Sequence, residues 1–195
     1  MPELTWAILE RAARACASWN AQGANLKVSV NLCATMLSDT ALADHIAERV
    51  ALAGAEPASV ILEVTETAVM DVGPALSNLA RLRMKGFGLS IDDFGTGYSS
   101  MQQLSRAPFT ELKIDRSFVT DIDTNSRLRI MVQSMIDMAR EMRLSTVAEG
   151  VETLAECQTL ADMGCDIVQG YLISKPLEAA AFGEWRQARQ DKAQA

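Results

Sequence analysis

Histidine is almost missing from this sequence: His45 stands alone, and the four cysteines (Cys16, Cys33, Cys157 and Cys165) form no C-x-x-C pair. A zinc centre draws its ligands from those residue types, so none is expected. The cysteines read as reduced, mostly buried thiols of a cytosolic, cytoplasmic protein. Aromatic residues make up 5% of the chain, too few for a surface that stacks single-stranded nucleic acid. Basic residues are outnumbered 18 to 25, giving a net charge of −7. That balance argues against a groove holding a nucleic-acid backbone, and a phosphate substrate would need a metal or a local lysine to offset repulsion. No long uncharged apolar run occurs, so no membrane segment is expected. Glu3 and Glu10 stand where a basic leader would be, so no signal peptide is read. No G-x-G-x-x-G follows the first predicted strand, which weakens a dinucleotide-binding sheet.

What is present suits one domain with a sizeable core: 49% hydrophobic and 22% charged residues in 195. Residues 4–21 read as a helix, with Leu4, Ile8, Ala12, Ala15, Cys16 and Trp19 at helical spacing and Gly23 after it. Strands are predicted over 26–32, 60–65, 88–92, 111–115, 144–149 and 167–170. Between them lie a helix capped by Ser38 or Asp39 and closed by Gly54, another over 71–85 stopped by Gly86, and a short helical stretch from about residue 99. A long helix follows over 124–143, with Ile130, Met131, Met135, Met138 and Met142 available for its buried face. Thr153-Leu154-Ala155-Glu156 is a capping box opening the next helix. A last helix from residue 179 leads to a polar tail, taken as 187–195 after a domain of 1–186.

Six alternations of strand and helix mean parallel strands joined by right-handed crossovers. Asn31, Glu63, Asp92, Lys113, Glu149 and Gln169 each fall at or just past a strand's C-terminal end. In a barrel those ends make one rim, where chemistry is placed, so the barrel is preferred to an open sheet. A full barrel has eight strands and ~250 residues, so an incomplete TIM barrel without its first two strands is expected. Asp92 and Asp93 are adjacent and run into Gly95-Thr96-Gly97. Carboxylates that close repel unless a cation separates them. Asn31, Glu63, Asp92 and Asp93 form an oxygen-only set suited to Mg²⁺ or Mn²⁺. Glu149 can hold a metal or take a proton, Lys113 can orient a water, and Gln169 offers a donor and an acceptor. Taken singly, each has a plainer reading. Asn31 is a turn residue, Gln169 a plain strand end, Glu63 a structural partner for Lys113, and Glu149 and Glu152 solvated loop acids.

The motifs Ser29-Val30-Asn31-Leu32, Leu62-Glu63-Val64-Thr65-Glu66, Asp92-Asp93-Phe94-Gly95-Thr96-Gly97-Tyr98-Ser99, Leu112-Lys113-Ile114-Asp115, Ala148-Glu149-Gly150-Val151-Glu152 and Val168-Gln169-Gly170-Tyr171 resemble those of EAL-domain cyclic di-GMP phosphodiesterases, in the same order. The resemblance implies a modified TIM barrel that hydrolyses cyclic di-GMP to pGpG with two Mg²⁺ or Mn²⁺ ions. It implies Asn31, Glu63, Asp92, Asp93 and Glu149 as metal ligands, and Lys113 at the catalytic water. Gln169 belongs to the same site, and Glu66 braces the loop from Asp93 to Ser99. It also implies a homodimer or an upstream sensory or cyclase domain as partner. The family's Glu-Ala-Leu segment, which supplies one further metal-ligand Glu, has no counterpart here; Glu3-Leu4-Thr5 belongs to the first helix. A non-catalytic cyclic di-GMP receptor or protein-interaction module is the alternative.

Overall fold

Short runs of β-branched and aliphatic residues, each closed by a polar residue and a turn, become six parallel strands separated by helices. A computed structural model describes residues 2–65, 68, 73–96 and 101–194. Helix α1 (Pro2–Ala21) is followed by β1 (Val28–Asn31), α2 (Leu42–Leu52), β2 (Val60–Thr65), α3 (Pro74–Met84), β3 (Gly88–Phe94) and α4 (Met101–Arg106). Then come β4 (Glu111–Ile114), α5 (Arg116–Val119), α6 (Ser126–Glu141), β5 (Ser145–Ala148), α7 (Leu154–Asp162), β6 (Ile167–Val168) and α8 (Ala179–Gln194). The strands pair in chain order, β1 to β6, in one sheet. The result is a curled half-barrel with flanking helices, the incomplete α/β barrel expected from the sequence.

The register sets what each face carries. Asn31 pairs with Glu63, Glu63 with Ser90, Ser90 with Glu111, and Lys113 with Val147. Side chains alternate along a strand. One face therefore holds Asn31, Glu63, Ser90, Asp92, Glu111 and Lys113. The other holds Val30, Leu62, Val64, Leu89, Ile91, Leu112 and Ile114, all buried. The helices pack on that apolar face through Leu9, Ala13, Ile46, Val50, Leu79, Leu82, Val132 and Ile136. Burying each large aliphatic side chain there contributes about 1.5–3 kcal/mol. The apolar core thus lies between sheet and helices, and the polar face is left for the site.

Two helical stripes differ from expectation. In α1 the buried residues are Thr5, Leu9, Ala13 and Cys16, while Leu4 and Ile8 are exposed. Ile8, Ala12, Ala15 and Trp19 instead line a cleft of about 1090 Å³ between β1 and β6, the two edges of the sheet. No described strand covers that side, so the stripe faces the gap rather than the core. Trp19 packs on Phe182 of α8, ring centroids 4.5 Å apart, at the outer wall of the cleft. In α6 the buried face is Val132, Ile136 and Ala139. Ile130 and Met131 are exposed, and Met135, Met138 and Met142 only flank the core. The predicted long helix is also preceded by a separate turn of helix, α5, which Asp115 caps by accepting from Ser117 N. Asp39 accepts from Ala41 N but does not cap α2, which begins at Leu42. Cys16 is buried; Cys33, Cys157 and Cys165 are half-buried, and all four are free thiols.

Candidate active site

Lys113 lies at the centre. It ends the polar side of β4, next to the strand that carries Asp92, and is 6% exposed. Its Nζ is 3.0 Å from Glu63 Oε1, 3.0 Å from Asp92 Oδ1 and 2.7 Å from Glu149 Oε1. These carboxylates come from β2, β3 and the residue after β5, so three strand ends converge on one ammonium. Burial disfavours the charged lysine, but Glu149 and Glu63 outweigh it and hold the pKa well above the ordinary value. Burial raises the Glu149 carboxyl; Lys113 opposes that rise, and Asp92 and Glu63 add to it.

Asp92 and Asp93 are neighbours on β3, and a regular strand would send them to opposite faces. The register with β4 shifts between Ile91 and Phe94, and Asp93 sits in the left-handed region at φ 56°. This bulge-like break turns both carboxylates toward one place. A left-handed aspartate is among the less costly non-glycine choices. Ligand atoms of Asp92, Asp93 and Glu149 lie within 4.8 Å of one another. Burial raises the Asp93 carboxyl, and Asp92 and Asp115 raise it further.

Three carboxylates (Glu63, Asp92 and Glu149) contact one ammonium and Asp93 lies beside two of them, leaving three negative charges uncompensated when all four are ionised. Asp92 Oδ1 is buried and, although 3.0 Å from Lys113 Nζ, makes no directed hydrogen bond. A buried carboxylate oxygen without a donor, in an excess of negative charge, is what a hard divalent cation satisfies. The donor set is oxygen only, and it fits such an ion.

A family profile described as EAL domain matches residues 1–176. The chain belongs to the EAL domain family. This EAL domain is 43% identical over 183 residues to the cyclic di-GMP phosphodiesterase NbdA of Pseudomonas aeruginosa, covering 93% of this chain and 23% of NbdA. It therefore spans about a quarter of that relative's length. Among solved structures, it superposes on the MucR phosphodiesterase of P. aeruginosa in complex with cyclic di-GMP with a TM-score of 0.86 at 37% identity, covering 92% of this chain and 74% of that one. BlrP1 of Klebsiella pneumoniae, solved with manganese and cyclic di-GMP, gives a TM-score of 0.77 at 31% identity, covering 88% of this chain and 45% of that one.

Of the residues read from the sequence, the EAL domain gathers Glu63, Asp92, Asp93, Lys113 and Glu149. Asn31 is exposed and stands beside Glu63 on the adjacent strand. Gln169 is exposed, lines the cleft between the sheet edges, and is tied through its backbone to Ala148 and Val151. Glu66 lies outside the described residues, as does the far end of the loop it was expected to brace. No described helix is long and apolar enough to cross a membrane. Sequence reasoning missed the residues that support the site. Arg116 pairs with Glu152 at 2.8 Å and lies directly over Gly150, where a Cβ would meet its Cγ at 2.5 Å. Gly150, at φ 69°, is the residue after Glu149. A glycine following a rim acid was the available signal, but its neighbour comes from another strand end and is not visible in one-dimensional spacing.

Proposed function

We propose that this chain is a cyclic di-GMP phosphodiesterase that opens the cyclic dinucleotide to pGpG. The observation that carries the reading is the convergence of Glu63, Asp92 and Glu149 on Lys113, with Asp93 alongside. Similarity to phosphodiesterases, one of them solved with cyclic di-GMP, supports the substrate.

Asn31, Glu63, Asp92, Asp93 and Glu149 would hold Mg²⁺ or Mn²⁺; two such ions supply a water acidic enough to deprotonate at neutral pH and charge to steady the leaving oxygen. The protein's net charge of −7 repels a phosphodiester, so the cation requirement follows from electrostatics as well. Lys113, held protonated by its carboxylates, orients the attacking water and stabilises charge gathering on the phosphoryl oxygens. Glu149, which meets Lys113 through Oε1, holds an ion or accepts the water's proton. Gln169, which lines the cleft, hydrogen-bonds the substrate. The proposed setting is the cytoplasm, with a second copy of the chain or a sensory or cyclase domain as partner.

The test is production of pGpG from cyclic di-GMP by the purified chain with Mn²⁺ or Mg²⁺, against EDTA and against Asp92→Asn. Metal-dependent turnover, lost about a hundredfold or more in the variant, is expected. A folded chain that binds cyclic di-GMP in calorimetry without cleaving it would replace the reading with a receptor.

A further inference from the structure

Glu156 does more than a helix cap requires. In a capping box the third helical residue returns one bond to the N-cap backbone. Here the Glu156 carboxylate, 5% exposed, accepts three: Thr153 N at 2.9 Å, Glu152 N at 2.9 Å and, through its other oxygen, Asp121 N at 3.2 Å. Asp121 belongs to the turn between α5 and α6 and is left-handed at φ 62°. One buried carboxylate therefore joins the turn that carries Glu149 to the segment following β4, the strand that carries Lys113. Burial raises its carboxyl, but the three backbone donors and the Thr153 hydroxyl outweigh that and hold it below the ordinary range.

The rest of that turn is equally held. Glu149 N donates to Ile114 O, and Val151 N to Gln169 O, both at 3.0 Å. Arg116, three residues beyond Lys113, grips Glu152, three residues beyond Glu149. The Glu149–Lys113 contact of 2.7 Å is thus framed by bonds between the two chain segments that deliver it. We propose that Glu156 is a positioning residue for Glu149, locking the turn behind it to the Asp121 backbone so that Glu149 meets Lys113 in one geometry. This rests on Glu149 and Lys113 being the acid and ammonium of the hydrolytic site.

Glu156→Gln separates capping from bridging. The amide oxygen still serves the helix N-terminus, but the NH₂ group then opposes the Asp121 N–H, donor against donor. Displacing a catalytic group slightly lowers turnover more than binding. The expected result is kcat about tenfold lower with KM within about twofold. Thr153→Ala is the control: it removes the hydroxyl, which accepts from Glu156 N and also touches the Glu156 carboxylate, and leaves the three backbone bonds to that carboxylate. It is expected to lower the unfolding midpoint with kcat within about twofold of wild type. The ¹⁵N resonance of Lys113 Nζ gives a second readout independent of turnover. It should move in Glu156→Gln toward its position in Glu149→Gln, and stay in place in Thr153→Ala. An unmoved Lys113 resonance in Glu156→Gln, or kcat losses in both variants that track their losses of stability, would overturn the proposal. If the wild-type chain does not turn over, the phosphodiesterase reading fails, and the Lys113 resonance alone decides whether Glu156 positions Glu149.

Discussion

Replacing Lys113 by Met nearly keeps the volume of the side chain, shortens it by one atom and removes its charge. The ammonium it removes lies 2.7 Å from Glu149 and 3.0 Å from Glu63 and Asp92, with Lys113 itself 6% exposed. At an effective dielectric of about 20, one contact at 3 Å carries about 5–6 kcal/mol of Coulomb energy. Desolvation of the ions offsets much of that, and losing one partner of a buried pair costs about 3–5 kcal/mol net. Lys113→Met is therefore expected to unfold about 3–5 kcal/mol more easily than wild type in urea at pH 8 with EDTA. Two conditions should narrow the gap. Burial already raises the carboxyls of Glu149 and of the neighbouring Asp93 in the folded state, so there the folded protein binds more protons than the unfolded chain. Its stability then rises as pH falls through those folded values, and the variant regains part of the loss near pH 5. Mn²⁺ supplies the missing positive charge; at a hundredfold excess over the wild-type Kd it stabilises wild type by about 2.7 kcal/mol, and at that same concentration the variant should gain more. Urea titrations followed by circular dichroism, with EDTA and with Mn²⁺, measure all three. A loss below about 1 kcal/mol in EDTA, or equal stabilisation of both proteins by Mn²⁺, would refute the account of the site as an excess of buried negative charge.

Two glycines test the packing from opposite sides. A Cβ on Gly170 would sit 2.2 Å from Val151 O and 2.4 Å from Val151 N. Backbone cannot rotate away, so Gly170→Ala should lose about 3 kcal/mol or more in the same titrations. Gly183 lies within α8 with no atom within 4 Å of such a Cβ, and Gly183→Ala should gain about 0.5–1 kcal/mol. Asp166 accepts from Thr146 N and Thr146 Oγ1, both at 2.8 Å, and these bonds depress its pKa. A depressed folded pKa gives stability that is present above the unfolded value of about 3.9 and is lost as pH falls through the folded value. Asp166→Asn should cost about 1 kcal/mol at pH 7, discounted for solvent exposure. Its urea midpoint should then fall less steeply than that of wild type below about pH 4.

The order of elements was legible in one dimension because each strand is a short apolar run ended by a polar residue and a turn. Strands β2 and β4 lie within a residue of their predicted bounds. The rim residues were legible for the same reason: a parallel sheet puts every strand's C-terminal end on one side. Periodicity placed α1 and α6 as helices but not all of their buried faces. It locates an apolar stripe but not what covers it. In α1 the stripe of Ile8, Ala12, Ala15 and Trp19 faces an open cleft because no described strand lies between β1 and β6. In α6, Ile130 and Met131 are exposed although they continue the helical spacing.

By itself, then, the sequence determined the strand and helix order, the parallel sheet, and which oxygen-bearing residues end its strands, all consequences of local pattern and fixed strand direction. Only the tertiary structure decided that Lys113 is shared by three carboxylates, and that Asp92 and Asp93 reach one place through a register break. It alone decided that Glu156 ties together segments 35 residues apart. These depend on distances between elements and on single backbone angles, set by how the packed sheet curls and not by any spacing along the chain.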